Sequence, residues 1–290
     1  MKLTDVSIIK SLLSKHGFNF SKSLGQNFLI DPYVCPQMVE LGGVDNTVGV
    51  IEIGSGIGVL TAELCKMAKK VVSIELDAKL IPILKETLVE YTNVKIINDD
   101  ALKIDLHNLI KEEFDGMDVV VCANLPYYIT SPVLMHLLES RLAVKSITVM
   151  VQKEAAVRIC AEPGNRVAGS ISYAVNYYSQ PKVIFDVPFT SFMPRPKVDS
   201  CVIRLDVRDK PPVNTLDEKL FFRCIHASFN QRRKTILNGL SAGLKLPKET
   251  IILALDKSDI SQQQRGEKLT LQDFARLSDN IFKIIKEDNK

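Results

Sequence analysis

The sequence predicts an α/β fold with a mostly parallel central sheet, followed by a small all-helical domain. Between residues 48 and 154, short runs rich in Val and Ile alternate with runs of helical periodicity. The strand-like runs are apolar on both faces, which is typical of a parallel sheet covered by helices on both sides. After residue 215 every segment has helical periodicity.

The α/β part is predicted from five strands and the helices between them. In chain order the strands are VGVIEIG (48–54), KVVSIEL (70–76), VKIIND (94–99), DVVVCA (118–123) and SITVMVQ (146–152). The covering helices are GVLTAELCKMA, AKLIPILKETLVEY and SPVLMHLLES. An irregular region follows, with the strand-like pieces PKVIFDVPF and SCVIRLDV (200–207).

Prolines set the predicted domain boundary. The α/β domain is expected over 1–208, with a helical extension over 1–30, and the stretch DKPPVN (209–214) is expected to be a linker because its two prolines stop a helix. The helical domain is expected over 215–290, from DEKLFFRCIHASFNQRRKTILNGL, PKETIILALDK and TLQDFARLSDNIFKIIKE.

The composition is that of an ordinary soluble globular protein, and the cysteine pattern predicts a cytoplasmic location. Hydrophobic residues make up 46% and charged residues 24%, and no run approaches the roughly 18 apolar residues of a membrane span. The opening residues MKLTDVSIIKSLLSKHG are predicted to form an amphipathic helix ended by Gly17, not a signal peptide. The six cysteines are scattered, which predicts reduced thiols and no structural metal.

Charge is unevenly distributed along the chain. Residues 1–180 contain 17 Lys and Arg against 20 Asp and Glu, a net charge of −3, whereas residues 181–290 contain 20 against 14, a net charge of +6. A basic second part favours a polyanionic partner, although an unevenly solvated surface is an equal alternative at this point.

The stretch VIEIGSGIGVLT joins the first strong strand to the first covering helix. Gly54, Gly56 and Gly58 allow a tight turn and a close approach to a ligand. Dinucleotide-binding folds need G-x-G-x-x-G, whose third glycine is replaced here by Val59. Glu52 lies two residues before the loop, which suits a cationic ligand better than a pyrophosphate. S-adenosylmethionine carries both a sulfonium and an ammonium group.

Two further acidic residues end the next two strands. Glu75 can accept hydrogen bonds from both ribose hydroxyls, and Asp100 can bond the adenine amino group. The adjoining Ala101 is a further candidate for cofactor binding. Each acid alone is more often a turn residue. Together, at the strand ends where such sheets bind ligands, they predict a Rossmann-like S-adenosylmethionine-dependent methyltransferase domain.

The stretch NLPYYIT (124–130) ends the fourth strand at the same edge. An isolated turn of this kind is usually structural, but beside a methyl donor it suits an adenine amine. The Asn124 side-chain oxygen and a main-chain carbonyl at Leu125 or Pro126 can accept its two N–H bonds. Proline stiffens the turn, and Tyr127 offers a ring on which a flipped-out base can stack.

In this order, the motifs closely resemble those of the ribosomal RNA adenine N6,N6-dimethyltransferases of the small-subunit type. The resemblance runs nearly end to end through SLGQNFLID (23–31), EIGSGIGVLT (52–61), IELD (74–77), DDAL (99–102), NLPYYIT (124–130), FMPRPKVDS (192–200) and FNQRRKTILNGL (229–240).

The resemblance implies roles for individual residues. Residues matching Asn27 and Leu29 close over the cofactor, those matching Gly54, Glu75, Asp100 and Asn124 bind it, and Phe192 faces the tyrosine across the target base. It also implies transfer of two methyl groups to each of two adjacent adenosines in the 3′-terminal hairpin of 16S rRNA, during 30S subunit maturation. A monomer that acts on a pre-30S particle, with no membrane or DNA partner, is expected.

Phosphate contacts are expected on basic residues of the second part. NQRRK (230–234) is predicted to lie in a helix, where its cations can neutralise phosphates. The candidate RNA-binding residues are Arg195, Lys197, Arg223, Arg232, Arg233 and Lys234. Ala168 and Gly266 stand where the family usually has tyrosine and alanine.

Three other readings stay open at this point. They are the macrolide-resistance enzymes that modify large-subunit rRNA on the same fold, a non-catalytic RNA-binding factor, and an NAD-dependent oxidoreductase. Val59 disfavours the last of these.

Overall fold

The computed structural model describes residues 1–18 and 25–288, which form two compact units. The first unit comprises Met1–Ala156 and Pro181–Val207, and the second comprises Val157–Gln180 and Arg208–Lys290. The second unit therefore includes a segment from the middle of the chain, which the sequence prediction assigned to the α/β domain.

Seven of the nine strands in the described residues follow the predicted apolar runs, and the other two are two-residue strands that were not predicted. In chain order within the described residues they are β1 (Phe28–Leu29), β2 (Gly49–Ile53), β3 (Lys70–Glu75), β4 (Val94–Asn98), β5 (Val119–Asn124), β6 (Ser146–Gln152), β7 (Ser179–Val187), β8 (Phe192–Met193) and β9 (Ser200–Val207).

The helices lie between the strands and in the C-terminal part. In chain order within the described residues they are α1 (Val6–Lys15), α2 (Val34–Leu41), α3 (Val59–Met67), α4 (Ile81–Thr87), α5 (Leu106–Phe114), α6 (Thr130–Glu139), α7 (Lys153–Ile159), α8 (Ser170–Tyr178), α9 (Glu218–Asn230), α10 (Ile236–Leu244), α11 (Lys248–Lys257) and α12 (Leu271–Asp288).

The central sheet has the strand order β4-β3-β2-β5-β6-β9-β7. The pairs β2–β3, β2–β5, β3–β4 and β5–β6 are parallel, and β6–β9 is antiparallel. The order reverses between β2 and β5, and in open α/β sheets a ligand crevice forms beyond the strand ends at such a point. A separate antiparallel pair, β1–β8, joins Leu29 to Phe192. The α/β prediction with a mostly parallel sheet is confirmed.

Burial explains why these runs form strands. Every residue of β2 is buried, including Val50 and Ile51, because helices cover both faces of the sheet centre. The edge strand β4 is only partly buried. At the N-terminal end of β2, Gly49 packs against the Phe114 ring so closely that a Cβ would overlap the ring.

In the region after residue 152 the two predicted strand-like pieces form β7 and β9, but the prediction that the rest is irregular is wrong, because α7 and α8 lie there. Helix α8 carries Tyr173 and Tyr177, which are buried in one hydrophobic core with Phe221 of α9 and Phe274 of α12. The local sequence SISYAVNYY has few strong helix formers, so this helix depends on tertiary packing for its stability.

The prediction that NQRRK lies in a helix is also wrong. Helix α9 ends at Asn230, and residues 231–234 form a turn in which the Lys234 amide donates to the Gln231 carbonyl over 2.8 Å. The next helix starts anew, because the Thr235 side chain caps α10 by accepting from the Asn238 amide.

Candidate active site

A cavity that opens to solvent lies at the C-terminal edge of the parallel strands, and it encloses about 1080 Å³ when the open solvent at its mouth is included. Its lining comes from the segments that follow β2, β3, β4 and β5, together with the segment around β1 and one residue of β8. The sequence-predicted site residues in its lining are Asn27, Leu29, Gly54, Gly56, Glu75, Asp100, Ala101, Asn124, Leu125, Pro126, Tyr127 and Phe192. The topology thus brings four strand ends into one site.

The glycine loop forms the floor beside β2. Gly54, Gly56 and Gly58 have φ values of +80°, +58° and +92°, a backbone region that side chains with a Cβ rarely adopt. Gly58 lies outside the cavity lining and begins α3, where a Cβ would approach the Thr87 hydroxyl to 3.1 Å. Gly54 and Gly56 therefore border the cavity, and Gly58 is the N-cap residue of α3.

Glu75 ends β3 with its carboxylate fixed by main-chain amides. One oxygen accepts from the Gly56 amide at 2.9 Å and the other from the Asp77 amide at 2.8 Å. Burial raises the pKa of this carboxyl group, while these hydrogen bonds oppose the rise. A carboxylate has about four lone-pair sites, so both oxygens retain capacity to accept from a ligand.

Asp100 follows β4 at the next strand end. Its side chain accepts from the Leu102 amide at 3.0 Å and lies 3.4 Å from the Lys103 ammonium. Ala101 is 9% exposed and adds an apolar surface next to it. The carboxylate is held by its own turn and is partly exposed, which suits contact with a small ligand.

Glu52 is placed differently from the sequence-based expectation, because it does not line the cavity. Strand residues alternate between the two faces of a sheet, and Glu52 is fully buried where it accepts from the Thr61 and Ser73 hydroxyls. Ser73 in turn bonds to Ser55 of the glycine loop at 2.5 Å. Burial raises the pKa of Glu52 to about 7, and its Oε1 has no hydrogen-bond partner within the described residues.

The NLPY segment leaves β5 through a stiff turn. Asn124 pairs with Met150 of β6, which fixes its backbone at the sheet edge. Pro126 has φ −56° and ψ 132°, and its carbonyl accepts from the Ile129 amide at 3.1 Å. Leu125 is 1% exposed and anchors the turn in the core. Asn124 thus lines the cavity from a rigid stretch of main chain.

Tyr127 and Phe192 are the two predicted aromatic site residues in the cavity lining. Tyr127 is half-buried, and its phenol oxygen lies 2.8 Å from the Ser200 hydroxyl oxygen. Burial raises the pKa of this phenol. Phe192 is 1% exposed and is held by the β1–β8 pair opposite Leu29.

Sequence reasoning missed several residues that line the cavity, among them Leu76 and Tyr128. Leu76 is 50% exposed although it directly follows Glu75, and Tyr128 is 54% exposed although it follows Tyr127. The position of Leu76 carries a usable signal, because an apolar side chain immediately after a buried strand lies at the ligand edge of such a sheet. Tyr128 lies in the short turn that follows β5.

The N-terminal segment closes one side of the cavity. The Asn27 side chain donates to the Gly25 carbonyl at 2.9 Å, and Gln26 donates to Asp77 at 2.8 Å, next to Glu75. Residues 23 and 24 of the SLGQNFLID motif lie outside the described residues.

The candidate RNA-binding cations are exposed, with one differing from the rest. The Arg232 guanidinium donates hydrogen bonds to the main-chain carbonyls of Arg166 and Ala168, at 3.1 and 3.2 Å. It also lies 3.3 Å from the Glu267 carboxylate. The guanidinium therefore ties the turn to the rest of the helical unit. Exposed side chains are found for Arg195, Lys197, Arg223, Arg233 and Lys234.

The described residues hold neither a metal-ion cluster nor a membrane-spanning helix. Among residues 1–18 and 25–288 no group of three or more His, Cys, Asp or Glu is arranged to hold a metal ion. No helix within these residues is long and apolar enough to cross a membrane. The described residues include all six cysteines, and none of them forms a disulfide bond.

Comparison with known proteins identifies the family. The family profile described as ribosomal RNA adenine dimethylase matches residues 17–283. The chain is 49% identical to the ribosomal RNA small subunit methyltransferase A of Geobacillus sp. (strain WCH70), over 95% of this chain and 96% of the relative. It is 50% identical to the protein of the same name from Shouchella clausii (strain KSM-K16), over 96% of this chain and 95% of the relative.

Solved structures agree with this result. A dimethyladenosine transferase from Plasmodium falciparum is 26% identical with a TM-score of 0.73, covering 86% of this chain and 95% of that one. The 23S rRNA methyltransferase ErmE, at 23% identity and a TM-score of 0.66, shares the fold over 88% of this chain and 99% of its own. The chain therefore belongs to the ribosomal RNA adenine dimethylase family and is a methyltransferase.

Proposed function

We propose that this enzyme uses S-adenosylmethionine to dimethylate the N6 atoms of two adjacent adenosines in the 3′-terminal hairpin of 16S rRNA, during maturation of the 30S subunit. One observation carries the proposal. The strand-end carboxylates and the Asn124 amide line a single cavity, so a donor site and an amine-acceptor site adjoin. The near end-to-end match to small-subunit methyltransferases supports this choice over large-subunit rRNA.

The residues present fit the proposed cofactor. Glu75 would accept from the ribose hydroxyls, Asp100 from the adenine amine, and the loop at Gly54 and Gly56 would let the chain approach closely. When bound, S-adenosylmethionine supplies an electrophilic methyl group. Leu76 adds an exposed apolar surface beside Glu75, suited to the flat face of a purine.

Asn124 holds the amine that is to be methylated. An adenine N6 is a poor nucleophile because its lone pair is delocalised into the ring. Accepting both N–H bonds favours a pyramidal nitrogen whose lone pair is available. The Asn124 side-chain oxygen provides one acceptor, and the Leu125 carbonyl is favoured as the second because the Pro126 carbonyl already accepts from Ile129.

No strong base is needed, since the N6 proton becomes acidic once the nitrogen has become cationic. The contribution of the protein is therefore mainly positioning, for which roughly 7–11 kcal/mol is available in well-oriented reactions. Tyr127 and Phe192 offer the aromatic surfaces between which an extruded base would be held, and stacking is worth about 1–3 kcal/mol per base.

We further propose that the protein acts as a cytoplasmic monomer on a pre-30S particle, with phosphates bound mainly by exposed cations. Arg195 and Lys197 lie in the loop between β8 and β9, while Arg223, Arg233 and Lys234 belong to the helical unit. Such contacts position the RNA without reading its sequence.

Methylation of isolated subunits tests the proposal. Small and large subunits from cells that lack this protein are incubated with labelled S-adenosylmethionine, and primer extension locates the modified bases. We expect label only in the small subunit, with reverse-transcriptase stops at two adjacent adenosines. Label in the large subunit alone, or none in either, refutes the proposal.

Asn124→Ala provides the variant that tests the site. Turnover should be lost while the Kd for S-adenosylmethionine, measured by calorimetry, changes by less than about tenfold, because the donor is held mainly by the other strand ends. Glu75→Ala should instead weaken cofactor binding. Normal turnover by the Asn124 variant would disprove the role of the amide.

A further inference from the structure

We infer that Ser200 is a positioning residue for methyl transfer, because it fixes the ring of Tyr127 through the hydrogen bond between their hydroxyl groups. The inference rests on the proposed function and adds a residue to it. Ser200 does not line the cavity, so its effect would pass through Tyr127.

The bond joins two distant parts of the chain within the first unit. Tyr127 and Ser200 are 73 positions apart, and their oxygen atoms are 2.8 Å apart. The Tyr127 backbone is fixed at the start of a short 3₁₀ turn behind Pro126. The phenol bond adds a second anchor at the far end of the side chain, so that the ring is held at both ends.

Ser200 is itself firmly placed. It is 0% exposed and is the first residue of β9, where it pairs with Gln152 of β6. The preceding Asp199 accepts from the Lys153 amide at 3.0 Å through its carbonyl and from the Phe189 amide at 2.9 Å through its side chain. The serine hydroxyl is thus a fixed point to which a mobile aromatic side chain can be tied.

The segment from β8 to β9 positions Phe192 as well as Ser200. Phe192 stands at its beginning and Ser200 at its end, and both ends are fixed by strand pairing. One segment therefore sets the place of both rings. Because a ring that is ordered before the base arrives loses less entropy on binding, this arrangement pre-organises the slot in which the adenine must lie.

The contrast with Tyr128 supports this reading. Tyr128 also lines the cavity, but it is 54% exposed and packs beside Gly25, whereas Tyr127 is half-buried and bonded to Ser200. Of the two adjacent tyrosines, Tyr127 is the one whose side-chain direction is fixed by a hydrogen bond to a neighbouring strand.

The experiment is a double-mutant cycle with steady-state kinetics on small subunits from cells lacking the protein. Ser200→Ala removes one partner, and Tyr127→Phe removes the other while keeping the ring. Each should lower kcat about two- to tenfold, the range of one neutral hydrogen bond, with KM for the subunit changed less than twofold. The double variant should be no slower than the slower single variant.

Two further variants separate positioning from general packing. Ser200→Thr keeps the hydroxyl and should restore most of the kcat lost in Ser200→Ala. Ser146→Ala is the matched control, since Ser146 is a buried serine at the start of β6 whose hydroxyl has no partner within the described residues. It should leave kcat unchanged.

The outcomes distinguish this inference from the proposed function. If the wild-type protein methylates small subunits and Ser200→Ala is equally fast, or if the effects of the two single variants multiply, the inference is wrong and the function stands. If the wild-type protein does not methylate small subunits at all, the proposed function itself fails.

Discussion

Replacing Glu52 by glutamine should change how the stability of the first unit depends on pH. The carboxyl group is fully buried between β2, β3 and α3, and burial raises its pKa from 4.5 to about 7. Glutamine has nearly the same shape and can still accept from the Thr61 and Ser73 hydroxyls, but it does not ionise. The variant therefore isolates the contribution of the charge.

The sign and size follow from proton linkage. Below about pH 4.5 the group is protonated in the folded and unfolded states and contributes nothing. Between pH 4.5 and about 7 the unfolded chain ionises first, so the free energy of unfolding falls by about 1.36 kcal/mol per pH unit. Above about pH 7 the loss is complete and amounts to about 3 kcal/mol. The variant should not show this loss.

Urea unfolding between pH 4.5 and 8 measures the effect, followed by circular dichroism and by hydrogen exchange of the β2 and β3 amides. The difference in free energy of unfolding, Glu52→Gln minus wild type, should rise by about 3 kcal/mol across this range. Thr61→Val is the control, because it removes a donor but keeps the carboxyl group and hence the pH dependence. A constant difference between Glu52→Gln and wild type would show that Glu52 ionises normally.

Three further predictions concern packing and RNA binding. Gly49→Ala should destabilise the first unit by about 1–3 kcal/mol in urea unfolding, because its Cβ would overlap the Phe114 ring; an unchanged midpoint would refute the overlap. Tyr173→Phe should destabilise the helical unit by about 1–3 kcal/mol, since its buried hydroxyl donates to a main-chain carbonyl at 2.5 Å. Arg233→Gln should reduce the salt dependence of RNA binding by about one unit of log–log slope, whereas Arg232→Gln should mainly lower the unfolding temperature of the helical unit. Equal slopes for wild type and the Arg233 variant would place the phosphate contact elsewhere.

The sheet and the cavity were predictable because their signals are local. Runs of Val and Ile buried on both faces have few alternatives to a parallel strand, and the C-terminal ends of parallel strands meet at one edge. Gly54, Glu75, Asp100 and Asn124 each lie at such an end, so topology alone brings them together. Their positions in the chain were sufficient to place them.

Three features of the structure differ from the sequence-based expectations, and each difference has a physical reason. Glu52 looks like a ligand because it precedes the glycine loop, but side-chain alternation in β2 turns it toward α3. Helix α8 was missed because its stability comes from long-range contacts of Tyr173 and Tyr177. The turn after Asn230 was missed because helical periodicity continues through it, while the carbonyls that bind Arg232 are distant in sequence.

The interleaving of the two units limits how the protein can be cut. A polypeptide that stops near residue 208 keeps α8 but lacks the helices whose side chains bury Tyr173 and Tyr177. Such a fragment would display bare aromatic surface and aggregate, even with its cavity intact. The same apolar surface is exposed during synthesis, because α8 leaves the ribosome well before its covering helices. Its apolar face stays uncovered until the chain is almost complete.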